Sequence, residues 1–482
     1  MIIMGEDLLT RFLRLMSSKI TDSDLELIKL GNSLGLDLVS FVELRASQED
    51  DFVDNVRKKA MDMMMENEDN ILVNDSYFYS GSIDFMVSDE PEGKKFFLLE
   101  TNGGSHRGLS IISKKQQNLL YNGYLEAIIQ AIKKKEREDN KIFVLIGVPV
   151  NDALIHEKVI MIEYFRKILK SNGHTVKIFN NDNFDIDFEA EIIFLIADYK
   201  QISTSLSYSD TWIKYKAENV SVLIGDGITR RLNDKNFDKQ LKDDIFKIKT
   251  IIVNPIFKIT DDKSLTYLAS FLSKEKLIKY NLKYLSFTKA YDEEDLINKL
   301  TYLIKNYNKS FVIKPSGGSG GAGVILVSKD EKSTNIKDII NESKKEFFAK
   351  FMSNRDPYPY TIQEKANFSL IDWEGGKHTF DLRIYLAQHK GIVIPIGGLA
   401  RIARGNFTTG LAKQEFVVNL SGYNGKIEVE RGIGFSEKNC GLLNLSADDF
   451  VNIFCIGCVL FAQIVKNYKT IINFSEWDTI ID

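Results

Sequence analysis

Apolar residues recur at helical spacing near the start of the chain, where Leu8, Leu9, Phe12, Leu13 and Met16 fall on one face. Ser23-Asp24-Leu25-Glu26 reads as the start of another helix, and the methionines of 61–65 read as a packed helix face. The pattern then changes period and predicts a β-hairpin, with strands over 82–87 and 95–102 and a turn over 89–93. A helix over about 110–137 leads into apolar strand runs at 143–147, 175–179, 192–196 and 220–224, with a helical run at 157–171. Strands alternating with helical stretches predict a small doubly wound domain ending near 255. Helical runs at 262–272 and 293–307 follow, then strands at 311–315, 324–327, 360–365, 380–386 and 392–402, and finally a long apolar helix over 448–468. The division expected from this is three parts: a helical segment with the hairpin at about 75–105 (1–140), the α/β domain (141–260), and a C-terminal core (261–482).

The stretch 311–327 carries the plainest chemical signal. Two β-branched runs flank Ser316-Gly317-Gly318-Ser319-Gly320-Gly321-Ala322-Gly323, and Lys314 stands on the entering strand. Five glycines in these eight residues let backbone N–H groups approach and point at an anion, as a phosphate requires. A mobile hairpin tip with no ligand has the same local pattern. A P-loop places its lysine after the glycines and opens a helix, and a dinucleotide fingerprint also opens a helix, so neither describes a loop that returns as strand. A nucleotide held under a β-hairpin flap is the better reading.

In the N-terminal hairpin, Asp84, Glu100 and Asn102 interrupt otherwise apolar strands. Glu100 and Asn102 are two apart and share a face, and Asp84 joins them if the register cooperates. Two carboxylates and an amide suit Mg²⁺, a hard cation that commonly bridges carboxylates to phosphates. A polar strand end capped by Asn102-Gly103-Gly104 explains the same residues equally well.

Composition narrows the classes. With 44% hydrophobic and 27% charged residues, the chain matches an ordinary soluble globular protein. Its 63 basic and 67 acidic residues, a net charge of −4, argue against a nucleic-acid binder. No uninterrupted apolar run approaches a membrane span, and the acidic N-terminal stretch lacks signal-peptide character, so a cytoplasmic location is expected. Three cysteines support no disulfide framework, and Cys455 and Cys458 sit in an apolar helical run that reads as core. Five scattered histidines give no zinc or triad arrangement.

Lys314, the loop 316–323, Gln363-Glu364 and Asp381-Leu382-Arg383 stand in an order that resembles the ATP-grasp superfamily, whose nucleotide lies between two α+β subdomains. In that family the metal-binding hairpin follows a helix near the C-terminus. Here the matching text, Gly81 to Phe85 and Glu100-Thr101-Asn102, lies at the N-terminal end. The chain therefore looks like the circularly permuted ATP-grasp group related to glutathionylspermidine-synthetase-like carboxylate-amine ligases. Asn254-Pro255, Asp262-Lys263 and Gly397-Gly398-Leu399-Ala400-Arg401 support this resemblance, which covers residues 75–105 and 250–468.

The resemblance implies a permuted α/β and α+β fold with a Rossmann-like domain preceding the core. It also implies ATP and Mg²⁺ (two ions) as cofactors, and an acyl phosphate through which a carboxylate and an amine are joined. Lys263 and Lys314 would touch the phosphates or adenine, and Ser316, Gly317, Gly318, Ser319, Gly320 and Gly321 would close over the phosphates. Gln363, Glu364 and Lys365 would line the adenine edge, and Asp84, Glu100 and Asn102 would hold the metal. Arg383 and Arg401 would steady the transferring phosphate. Each has a plainer competitor: Lys263 as a solvated first-turn residue, Asp381 and Arg383 as an ion pair on one strand, Arg401 as part of a basic rim with Arg404. His106, Arg107 and Asn419 are expected near the substrate by position alone. A silent nucleotide- or partner-binding module and a small-molecule phosphotransferase stand as the alternative readings, and a homodimer as the default assembly.

Overall fold

The computed structural model describes residues 30, 49–103, 112–135, 141–148, 155–180, 184–186, 188–209, 211–225, 247–316, 318, 320–331, 333–351, 355–408, 410, 412–420, 428–478 and 480–481. The helices expected within 8–26, and Gly104, His106, Arg107, Gly317 and Ser319, lie outside the described residues.

In chain order the strands are β1 (Ser80–Glu90), β2 (Gly93–Asn102), β3 (Ile142–Val148), β4 (Val176–Phe179), β5 (Ile192–Asp198), β6 (Leu206–Ser209), β7 (Trp212–Tyr215), β8 (Glu218–Asn219), β9 (Val222–Ile224) and β10 (Ile251–Ile252). The later strands are β11 (Phe287–Ala290), β12 (Phe311–Pro315), β13 (Ile325–Val327), β14 (Tyr360–Glu364), β15 (Leu370–Trp373), β16 (Gly376–His389), β17 (Ile392–Ile402) and β18 (Gly432–Gly434). They form a mixed α/β structure with several sheets.

The largest sheet runs β18-β17-β16-β1-β2, with β15 also on β16, and all its pairings are antiparallel. The N-terminal hairpin thus adds directly to strands about 300 residues later in the chain. Alternation along β16 explains why this sheet is covered on both faces. Ile384 and Leu386 join a core with the helices Asp50–Met65 and Ala447–Lys466, while Tyr385 and Ala387 join a second core beneath the helix Lys114–Lys135. Gly123 lets that last helix come close, since a Cβ there would strike the Tyr79 carbonyl and lie 2.9 Å from the Ala387 methyl.

The helix Ala447–Lys466 starts with a capping box between Ser446 and Asp449 and is apolar nearly all round. Among the described residues it is the one helix long and apolar enough to cross a membrane, and 83% of that window is buried within the protein. Cys455 and Cys458 are buried in it as core residues. A second sheet, β10-β9-β3-β5-β4, is parallel throughout. Its inner strands β3, β5 and β9 are buried on both faces, which explains their runs of Ile, Val, Leu and Phe, while the edge strand β4 is partly exposed and carries Lys177.

The third sheet, β11-β14-β12-β13, is antiparallel and packs against the helices Glu293–Tyr307 and Ser333–Phe351. The second of these helices was not expected from the sequence, nor was the small β6-β7-β8 sheet. The helix is rich in lysine, glutamate, serine and asparagine between its apolar positions, and the strands of the small sheet are only two to four residues long, so neither shows a clear period.

Asn254 ties the hairpin to the rest of the molecule. In a left-handed conformation (φ 59°), its side chain accepts from the Tyr79 N–H at 2.8 Å and donates to the carbonyls of Ser80, at 2.6 Å, and Gly103. One buried amide therefore fixes both the entry of β1 and the exit of β2.

Candidate functional site

Between the large sheet and the β11-β14-β12-β13 sheet lies a cavity of about 270 Å³. Small-ligand sites usually hold roughly 300–1,000 Å³, so this one is near the lower end. The large sheet contributes Asp84, Glu100, Asn102, Asp381, Arg383 and Arg401. Facing them are Lys263, Lys314, Gly318, Gly320, Gly321, Gln363, Glu364 and Lys365. Met86, Phe97, Leu99, Leu285, Ala366 and Phe368 make one end apolar.

A β-bulge sets the geometry at the metal-motif strands. Asp84 pairs with Glu100, but Phe85 pairs with Leu98, so Leu99 is the extra residue. The bulge frees the Leu99 carbonyl to accept from the Tyr267 hydroxyl at 2.6 Å. That hydroxyl in turn accepts from Lys314 Nζ at 2.8 Å, and Lys314 also donates to Gln363 Oε1 at 2.6 Å. Both partners of the ammonium are neutral. Burial, with Lys263 nearby, pulls the Lys314 amine down to about 7, and Glu100 opposes only in part. Burial pushes the Tyr267 phenol up.

Register also builds an ionic quartet. Asp84 lies opposite Arg383, and Asp381 opposite Arg401. Arg383 Nε and Nη2 donate to the two oxygens of Asp84 at 2.7 and 2.6 Å, and Arg401 Nη2 donates to Asp84 Oδ2 at 2.7 Å. Arg401 Nε donates to Asp381 Oδ1 at 2.7 Å, with a further Nη2 bond to Oδ2. Burial alone would raise Asp84, but the two guanidinium groups overcome it and hold the carboxyl well below the usual range. Asp381 goes the other way: burial, together with the neighbouring Asp84 charge, exceeds the help from Arg401 and lifts it to about 6.

The quartet shows what the expected site residues touch within the chain. The plainer reading of Asp381 and Arg383 as an ion pair on one strand is not what forms; each pairs across strands instead, because adjacent strands bring opposite charges closer than positions two apart on one strand. Asp84 was expected to bind metal, yet both its oxygens already accept from arginine. Arg383 and Arg401 were expected on a phosphate, and both are engaged with carboxylates. Arg401 keeps its Nη1 end without a hydrogen bond among the described residues.

Glu100 and Asn102 are differently placed. The Glu100 side chain is 33% exposed, with Lys263 Nζ 3.3 Å from Oε2 and Arg383 Nη2 3.9 Å from Oε1. Asn102 buries its Nδ2 with no partner among the described residues. Amide O and N positions are interchangeable by a flip, so this side chain can turn either group to a ligand. One carboxylate and one amide oxygen are hard donors of the kind Mg²⁺ takes, with water and phosphate completing its shell. Among the described residues no cluster of three His, Cys, Asp or Glu side chains forms a self-sufficient metal site.

The glycine loop lies over the opposite side. Gly320, Gly321 and Gly323 have φ of 62°, 71° and 72°, and side chains at Gly320 and Gly321 would strike Lys350, Asn419 and Val417. Ser316 is not among the lining residues; its N–H donates to the Pro357 and Pro359 carbonyls at 3.1 and 3.0 Å. Glu364 lines the cavity while accepting from Ser286 at 3.0 Å and pairing with Lys309 at 2.8 Å. Asn419 lines the cavity together with Phe416, Val417 and Val418, whereas nothing in the sequence marks Tyr267 or Lys350: a tyrosine on an amphipathic helix reads as core, and one lysine in a lysine-rich helix carries no signal.

No protein-family model and no curated protein matches the chain. Among solved structures, it is similar to a protein described as a gamma-glutamylcysteine synthetase from Methylobacillus flagellatus, at 12% identity and a TM-score of 0.43, over 87% of this chain and 94% of that one. A glutathione synthetase-like effector from Globodera pallida matches at 13% identity and a TM-score of 0.37, over 81% and 90% of the two chains. A D-alanyl-alanine synthetase from Vibrio cholerae matches at 11% identity and a TM-score of 0.26, over 51% and 66%. Superpositions this loose leave the chemistry to be read from the residues themselves.

Proposed function

We propose that the cavity binds MgATP and that the chain is a carboxylate-amine ligase of the circularly permuted ATP-grasp type, with its parallel sheet as a Rossmann-like accessory domain. The observation that carries this reading is the convergence of three distant stretches, 84–102, 263–321 and 363–401, on one cavity with an apolar end and a cationic, glycine-lined end. An adenine ring fits the apolar end against Met86, Phe97 and Phe368. The phosphates then face Lys314 and the N–H groups of the glycine loop. Glu100 and Asn102 would hold Mg²⁺, which would supply charge neutralisation for the phosphates.

The reaction begins when a carboxylate oxygen attacks the γ-phosphorus and ADP leaves. An amine then attacks the acyl carbon, phosphate departs, and the amine proton passes to solvent. The chain's part is positioning and charge stabilisation. Arg401, which lines the cavity and has its plane fixed by Asp381, would offer its Nη1 end to the developing acyl phosphate.

Calorimetry with MgATP tests this directly, comparing the wild type with Lys314→Ala and with Glu100→Ala/Asn102→Ala. Binding by the wild type and its loss in both variants is the expected result. Absence of magnesium-dependent nucleotide binding in the wild type sinks the ligase reading. Binding that survives loss of Glu100 and Asn102 removes the hairpin from the site, and with it the permutation. After binding, ADP release in the presence of candidate acids and amines identifies the substrates.

A further inference from the structure

The ions around Glu100 already balance without a metal. Asp84, Asp381 and Glu100 provide three negative charges, and Arg383, Arg401 and Lys263 three positive ones. Lys263 Nζ stands 3.3 Å from Glu100 Oε2, where a divalent ion bound by this carboxylate would have to compete with it. Asn102, the other candidate donor, is neutral and adds no charge. A dication entering alone would therefore raise this six-residue cluster to a net +2, in a cavity that Lys314, Lys350 and Lys365 also line and where repulsion between unit charges is several-fold stronger than in water. A polyphosphate entering with the metal removes that imbalance.

Lys263 is built to change partners. It is the first residue of the helix Lys263–Leu272, whose N-cap Asp262 accepts from the Ser264 N–H at 2.9 Å, so its backbone is anchored. Asp262 is itself paired with Lys289 at 2.7 Å and does not hold the Lys263 ammonium. Four rotatable bonds let that ammonium swing from Glu100 to a phosphate in the same cavity.

We propose that Lys263 is a surrogate cation: it holds Glu100 while the site is metal-free, and makes divalent-ion binding conditional on a bound polyphosphate. This rests on the nucleotide reading above and adds to it an order of binding, with metal and nucleotide entering together or the nucleotide first.

The test is Mn²⁺ binding to the full chain, followed by loss of the free-ion electron paramagnetic resonance signal, with and without ADP. Wild type is expected to bind Mn²⁺ at least about tenfold more tightly with ADP than without, within the roughly 5–150-fold range usual for coupled sites. Lys263→Met, and Lys263→Gln as a second variant, are expected to bind Mn²⁺ alone at least about tenfold more tightly than wild type. Glu100→Gln added to either should erase that gain, and Lys263→Arg should behave as wild type. Equal Mn²⁺ affinity in wild type and in both neutral variants overturns the proposal, as does wild-type binding indifferent to ADP while ADP itself binds. If ADP binds to no variant, the nucleotide reading fails, and the nucleotide-free comparison still decides the role of Lys263.

Discussion

At the scale of single residues, Lys314 couples stability, pH and ligand binding. Its amine titrates near 7 in the folded chain, against 10.5 for an ordinary lysine. The unfolded chain therefore holds more protons between these values. The cost of burying this charge is full below about pH 7 and disappears as pH rises through the ordinary lysine pKa. Lys314→Met should therefore raise the melting temperature at pH 6 while abolishing MgATP binding, which calorimetry and thermal melts measure together. Phosphate beside Lys314 favours its charged form, so binding at pH 8 should take up close to one proton. Titrations in two buffers of different ionisation enthalpy reveal that uptake, and affinity should weaken as pH rises above 7. Asp381 makes a different demand. Asp381→Ala strands Arg401 without its bidentate partner, and breaking a buried ion pair in this way costs about 3–5 kcal/mol, measurable by urea denaturation.

At the scale of elements, close approach decides what a substitution does. An alanine usually stabilises a helix over glycine by about 1 kcal/mol. Gly123→Ala reverses that sign, because its methyl would meet the Tyr79 carbonyl, a backbone atom that cannot turn aside. Overpacking of this kind costs about 1–3 kcal/mol, and a lowered melting temperature checks it. The elements also show which parts of the site the sequence could reveal. Lys314 and the glycine loop were legible because β-branched runs bracket them, and Glu100 and Asn102 because they interrupt an apolar strand two residues apart. The partners of Asp84 and Asp381 were not, since they follow from the register of β1, β16 and β17. The bulge at Leu99, which delivers a carbonyl to Tyr267, left no mark at all in the alternation of polar and apolar residues.

At the scale of the whole molecule, the large sheet is assembled from the two ends of the described chain. A fragment of residues 247–482 keeps β15 to β18 but leaves the edge of β16 bare where β1 belongs, and an exposed edge of that length invites pairing with other chains. Expressed alone it should aggregate or elute as large species in size exclusion, and co-expression with residues 1–246 should restore a stable complex with the hairpin in place. Independent folding of the fragment as a monomer would show that the hairpin is an accessory rather than a member of the sheet.

The pairing of Asp84 with Arg383, 299 residues apart, also puts a clock on synthesis. At about 5–20 residues per second, Asp84 emerges roughly 15–60 s before the arginine that will neutralise it. Throughout that interval β1 has only β2 beside it, and a carboxylate destined for the interior stays hydrated at an open strand edge. The nascent chain thus carries its own half-built site in a solvent-compatible form, and slowing translation after residue 225 lengthens the time in which that edge is open to a chaperone or to another chain.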